Sequence, residues 1–299
     1  MIIYLDQNKW IELARMYHGK DNSIRANKIL SEFNAVITSG SAVFPLSSIH
    51  YMETARISNN ERRSRLGAAM WHFSQGKTLA SSNKILAHEL ENALRNYIPK
   101  IKESNLKIIG FGSEHAFGVS DKECDELNFY TRNVERAILV GSKQLGIEPA
   151  QFFRTIHGEN FKNHLQNLRG KFDDAQGVEK DNLLYAILTV DILSVFNAVF
   201  EKYSIAVSDY PFDASSMKSI IDSMPTRSLD LHLHRQVLAN PNYAAKITDL
   251  EDWAGLGLAA CYCDVVVCEK HMADMMKRNK YKTKARVETN LENVFRSFD

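Results

Sequence analysis

The chain has 299 residues, 44% of them hydrophobic, enough apolar material for one large domain or a domain carrying a big insertion. Its 37 basic and 36 acidic residues leave a net charge of +1. That excludes the uniformly basic surface of a nucleic-acid coat and confines any nucleic-acid contact to a local patch.

In chain order, residues 2–5 form a short apolar run ending at Asp6, which predicts a buried strand. Trp10, Leu13 and Ala14 follow at helical spacing. Ile24, Ala26, Ile29, Leu30, Phe33 and Ile37 predict a second amphipathic helix over residues 23–39. Residues 42–46 predict another strand, after which Ser47 and Ser48 offer caps for a helix through residue 57. Residues 60–222 read as almost entirely helical, with clear segments at 84–97, 121–145 and 178–203 and breaks near Gly110, Gly112, Gly158 and Gly177. Thr248 and Glu251 have the spacing of a capping box, opening a helix to about Cys261. Residues 264–268 are β-branched and predict a strand; 271–279 predict a helix, 285–289 a strand and 291–298 a final helix. Alternating strand and helix imply a parallel sheet, which the first strand completes from the other end of the chain. The predicted fold is therefore α/β, a small parallel sheet flanked by helices with a large all-helical insertion. Residues 1–58 and 245–299 would be its two parts and 59–244 the insertion.

Cys261, Cys263 and Cys268 crowd into one short segment and Cys124 stands apart; their spacing fits no zinc template, so they read as reduced, mostly buried thiols. No basic region precedes an apolar run at the start, and no apolar stretch is read as reaching about 18 residues. A cytoplasmic protein with no membrane contact is the expectation.

The chemistry rests on where acids fall. Asp6 ends the first strand, and open α/β sheets bind ligands at the carboxyl ends of their strands. Glu269 follows residues 264–268 in the same way. Asp249 and Asp252 share one helix face by their spacing. Glu53 follows the second strand, with His50 three residues earlier. Several converging carboxylates are what Mg²⁺ or Mn²⁺ needs to act on a phosphodiester, and they repel one another without a cation. Each acid also has a plainer use. Asp6 would cap the next helix, Asp249 and Asp252 would suit a helix dipole, and Glu251 would serve the capping box. Glu53 would be solvated near Arg56, and Asp264, at the opposite strand end, reads as structural. His50 reads more readily as a core or surface side chain than as a substrate contact. His232 and His234 would share a face on a strand but diverge by about 200° on a helix. Arg62, Arg63 and Arg65, and the run Lys277, Arg278, Lys280, Lys282, Lys284 and Arg286, suit either a phosphate backbone or a solvated loop. A P-loop and a nucleophile elbow are both absent from the sequence.

The opening from Ile3 through Asp6 to Trp10, the Met52-Glu53 pair, the stretch from Asp249 to Ala254 and the stretch from Tyr262 to Lys270 together resemble PIN-like nucleases. The resemblance covers roughly residues 1–57 and 245–299. It implies a metal-dependent endoribonuclease, often a toxin or defence effector, using Mg²⁺ or Mn²⁺. Asp6, Glu53, Asp252 and Glu269 would be catalytic, and Asp6, Asp249, Asp252 and Glu269 would hold metal. Arg62, Lys270, Arg278 and Lys280 would meet RNA. Glu269 stands where the family more often has Asp, and Cys268 where it has Thr; Lys270 takes the acid's place if the register shifts by one. RNA is the expected partner, with room for an inhibitor protein or a homodimer. The alternatives are a catalytically degenerate PIN-like module that binds RNA or protein, and a hydrolase of another phosphate ester.

Overall fold

A computed structural model of the chain describes residues 1–119, 129–142 and 157–295. Strand β1 (Ile3–Leu5) is buried at every position. Helix α1 (Gln7–Tyr17) starts on Asp6, whose side chain accepts from the Gln7 N–H. Helix α2 (Ile24–Ser39) is capped by Ser23 and ends on Gly40, whose φ of 68° is a conformation glycine adopts without strain. Then follow α3 (Ser48–Ala55), α4 (Asn60–Ser74), β2 (Lys77–Leu79), α5 (Ser82–Leu94), β3 (Ile109–Phe111) and α6 (Gly112–Ala116). After them come α7 (Phe129–Val140), α8 (His157–Asp174), α9 (Val178–Lys202), α10 (Ala214–Ser223) and α11 (Pro225–Leu238). The last elements are α12 (Asp249–Tyr262), β4 (Val265–Val267), α13 (Lys270–Lys277) and β5 (Arg286–Glu288).

The principal sheet is parallel, in the order β1-β4-β5, with Leu5 beside Val267 and Val267 beside Glu288. The fold is α/β, a small parallel sheet in a mostly helical chain. Strands β1 and β4 are continuously apolar because both their faces are covered, whereas edge strand β5 buries only Val287 fully. Ile3, Leu5, Val265 and Val267 pack with Trp10, Leu13, Ile29 and Phe33 on one side. Tyr4, Val266 and Val287 pack with Leu256, Ala260 and Met276 on the other. A third core joins α5, α9, α10 and α11 through Leu90, Leu188, Ile192, Ile220 and Leu231.

Several expectations are corrected. Residues 42–46 are not a strand of the sheet. They bridge two sheets, pairing with Ile2 at Val43 and with Thr78 at Leu46. The helical stretch also contains a small antiparallel pair, β2 and β3, and Gly110 in β3 leaves room for the His115 ring, which a Cβ there would approach to 2.4 Å. Near the expected break at Gly158, helix α8 begins among the described residues. Gly158 is its second residue, where a Cβ would stand 2.4 Å from the Ile247 carbonyl oxygen. The end of the chain makes a short 3₁₀ turn at Leu291–Asn293 rather than a helix, within the described residues. Cys124, residues 121–128 and 143–145 of the helix expected over 121–145, and residues 296–298 lie outside the described residues; the described part of that helix is α7. Helix α9 is long and apolar enough to cross a membrane, against the expectation that no stretch is. It also serves as the spine of the third core, where Leu184, Leu188, Ile192 and Phe196 are buried.

Candidate metal centre

Asp6 follows β1, and its N–H donates to the Val267 carbonyl at 2.9 Å, so the carboxyl ends of β1 and β4 stay side by side. One carboxylate oxygen, Oδ1, accepts from the Gln7 N–H at 2.8 Å. Glu269 follows β4, and its Oε1 accepts from Asn8 Nδ2 at 2.6 Å. Glu53 is on α3 and Asp252 in the first turn of α12. These two helices are tied by Arg56 Nη1 and Glu251 Oε1, 2.5 Å apart. Gly255 lets α12 approach the sheet, since a Cβ there would lie 2.9 Å from the Tyr4 hydroxyl.

His50 fixes α3 against β1. Its Nδ1 accepts from the Ser47 N–H at 3.0 Å and its Nε2–H donates to the Leu5 carbonyl at 2.8 Å. Nδ1 accepts from a backbone N–H, so the proton is on Nε2. Burial lowers the ring's pKa to about 4. His50 is therefore a neutral strut, the plainer of its two readings.

The carboxylates disturb one another. Burial, and then the charge of Glu269, raise Asp6 to about 6, opposed by the Gln7 N–H and Lys9. Burial, then the Asp6 and Asp252 charges, raise Glu53 to about 8, opposed by Arg56. Burial, then Asp6, Asp249 and Glu269, raise Asp252 to about 7. Residues from four separate elements thus share one electrostatic site at the carboxyl edge of the sheet.

The sequence candidates fall into three groups. Asp6, Glu53, Asp252 and Glu269 converge. Glu269, not Lys270, supplies the charge felt by Asp6 and Asp252; Lys270 is exposed at the start of α13. Asp249 is at the margin: it is buried, and its Oδ2 accepts from the Tyr243 hydroxyl at 2.9 Å and the Lys246 N–H at 2.7 Å. Arg62, Arg278 and Lys280 are exposed, and Arg278 makes a 3.4 Å contact with Gln236. The cations acting most strongly on the acids are instead Lys9 and Arg56, which lie close in sequence to Asp6 and Glu53. Arg63 is not a surface cation; it is buried and holds the Ile57 carbonyl and Asn60. Thr248 makes no side-chain cap bond, so the expected box with Glu251 does not form, and Glu251 turns to Arg56. His232 and His234 lie on α11 and serve separate partners, the Met275 and Asp230 carbonyls. Asp264 accepts from the Ile2 N–H at the opposite sheet edge, as its position implied.

The donors suit a hard cation, being carboxylate oxygens with one lobe of Asp6 uncommitted to Gln7. Cys268 is buried beside them, and burial followed by the Asp6 charge pushes its thiol to about 12, so it stays protonated at neutral pH. As the side chains stand, no three His, Cys, Asp or Glu groups among the described residues are drawn together tightly enough to hold an ion. Uncompensated carboxylates repel, and a cation is what would draw them in.

No protein-family model matches this chain, and no curated protein or solved structure matches it.

Proposed function

We propose that this chain is a PIN-like, Mg²⁺- or Mn²⁺-dependent endoribonuclease that hydrolyses RNA phosphodiester bonds in the cytoplasm, as a toxin or defence effector would. The single observation that supports this reading is the raised pKa of Asp6, Glu53 and Asp252 at the carboxyl edge of the sheet, each by burial and then by the charge of another acid there. Three acids with raised pKa values in one place are costly for folding and suit a bound cation. Asp6, Asp252 and Glu269 would hold the ion, with Glu53 completing the set and Asp249 acting through its charge on Asp252. The ion would supply water activation and neutralise charge growing on the phosphate. Arg56 keeps α3 and α12 in position, and Asn8 orients Glu269. Lys9 offers a positive charge beside Asp6 for an approaching phosphate.

The test is cleavage of several structured and single-stranded RNAs with Mn²⁺, comparing wild type with Asp6→Asn. Loss of cutting in the variant supports the reading; equal activity in both overturns it. The rival reading, a degenerate module that binds RNA or protein without cutting, draws on the loose spacing of the acids. It predicts RNA retention by both proteins and cleavage by neither.

A further inference from the structure

Helix α12 has a second face. Leu250, Trp253, Ala254 and Gly257 line a cavity of about 540 Å³. They recur at helical spacing and form one stripe, which leaves Asp252 on the opposite side of the helix. The cavity is therefore separate from the acid cluster. Helices α5, α8, α9 and α11 supply its other walls. Its volume is in the range of small-molecule sites.

Its interior is aromatic and apolar. Phe161 and Trp253 meet edge to face with ring centroids 5.5 Å apart, and His234 meets Trp253 in the same way at 5.0 Å. Such walls accept a flat ring. One end carries charge. Asp230 is already matched, with Arg227 Nη1 at 3.0 Å and His234 Nδ1 at 3.3 Å. Asp191 lines the cavity and is exposed; it makes no hydrogen bond or ion pair to a described residue, and it feels the charges of Asp230, Arg227, His234 and His164 only at longer range. A carboxylate with no donor in hydrogen-bond reach, at the polar end of an aromatic cavity, is matched by a ligand that donates.

Gly257 keeps the floor open. A Cβ there would meet nothing within 4 Å, although glycine inside a helix is less favourable than alanine.

We propose that this cavity binds a small flat heteroaromatic amine, with its ring against Phe161 and Trp253 and its amino group donating to Asp191. The site does not depend on the nuclease reading, and its ligand does not touch the acids.

Isothermal titration of the full chain with adenosine, inosine and tryptamine tests it. Adenosine carries a ring amine, inosine replaces it with a carbonyl, and tryptamine carries a charged amine on an aromatic ring. Saturable binding of adenosine or tryptamine is expected, with inosine roughly tenfold weaker because it cannot donate at that position. Asp191→Asn should weaken the amine roughly tenfold, and Gly257→Leu should abolish binding by filling the open space. Circular dichroism and thermal melts establish that both variants fold; Asp191 is at the surface, so its variant remains informative if Gly257→Leu does not fold. Asp6→Asn should bind the amine as wild type does, which separates this site from the metal centre. Inosine binding as tightly as adenosine, Asp191→Asn binding unchanged, or no binding of either amine at millimolar concentration would each overturn the proposal.

Discussion

Arg56 and Glu251 face each other across two helices that are almost 200 residues apart in sequence, with Nη1 and Oε1 separated by 2.5 Å. The pair is mostly shielded, with side chains 20% and 13% exposed. It joins the helix of Glu53 to the helix of Asp252, and so sets the distance between two carboxylates that would otherwise push apart.

Arg56→Ala should destabilise the protein by roughly 2–3 kcal/mol, somewhat less than breaking a fully buried pair, because it leaves Glu251 uncompensated beside other acids. Replacing both, Arg56→Ala with Glu251→Ala, should cost less than Arg56→Ala alone. Urea denaturation of the three proteins checks this. A double variant no more stable than the single one removes the argument.

Removing an acid should affect stability and activity in opposite directions. Asp252→Asn removes a buried carboxyl that Asp6 repels and that raises Glu53, so the metal-free protein should gain roughly 1 kcal/mol. Mn²⁺-dependent cleavage should fall by about 100-fold or more. Asp6→Asn should lose activity similarly while keeping the start of α1, because Asn caps a helix about as well as Asp. Thermal melts in a chelator and RNA cleavage are the two measurements.

The pH dependence has an unusual sign. Asp6, Asp252 and Glu53 sit near 6, 7 and 8 in the fold, above their ordinary values of 3.8, 3.8 and 4.5. Between those limits the folded state holds more protons than the unfolded state, so stability from these groups is complete below about pH 4 and is lost as pH rises to about 8. His50, lowered from 6.5 to about 4, works the other way, and loses stability as pH falls from 6.5. Above pH 6.5 His50 no longer contributes, while His234, raised by the Asp230 charge against its burial, adds a loss of the same sign as the acids. Metal-free protein should weaken from about pH 6.5 to about 8.5 by roughly 1–2 kcal/mol. Mn²⁺ should reduce the change, and a Glu53→Gln, Asp252→Asn double variant should reduce it without metal. Stability that rises with pH in the chelated wild type would contradict the shared site.

His50 carries a further expectation. Its ring satisfies the Ser47 N–H and the Leu5 carbonyl at once, both buried. His50→Ala should cost roughly 2–4 kcal/mol, because two backbone groups lose their partner out of reach of water. Nuclear magnetic resonance of the wild type should show a neutral ring at pH 6, with the proton on Nε2 and titration near 4. A charged ring at pH 6 would refute the assignment.

Much of the site was legible because its signals are local. An apolar run closed by an acid describes both Leu5-Asp6 and Cys268-Glu269, and a three-residue spacing places Asp249 and Asp252 on one helix face. Residues 42–46 misled for the same reason. Their pattern suits a strand, but Val43 and Leu46 pair with different sheets, so the segment spans two sheets without completing either. The β2–β3 pair went unread because each strand has three residues and no alternation long enough to distinguish it from a helix end.

By itself, the sequence determined the buried strands β1 and β4, the parallel sheet they build and the acids Asp6, Glu53, Asp252 and Glu269. Tertiary structure alone decided that Glu251 serves Arg56 rather than Thr248, that Asp249 is held by Tyr243 and Lys246, that His50 is neutral and that α12 backs onto a cavity. The reason is range. Burial and periodicity are written into neighbouring residues, whereas the partner of a charge or a hydrogen bond is chosen by whichever distant element packs against it.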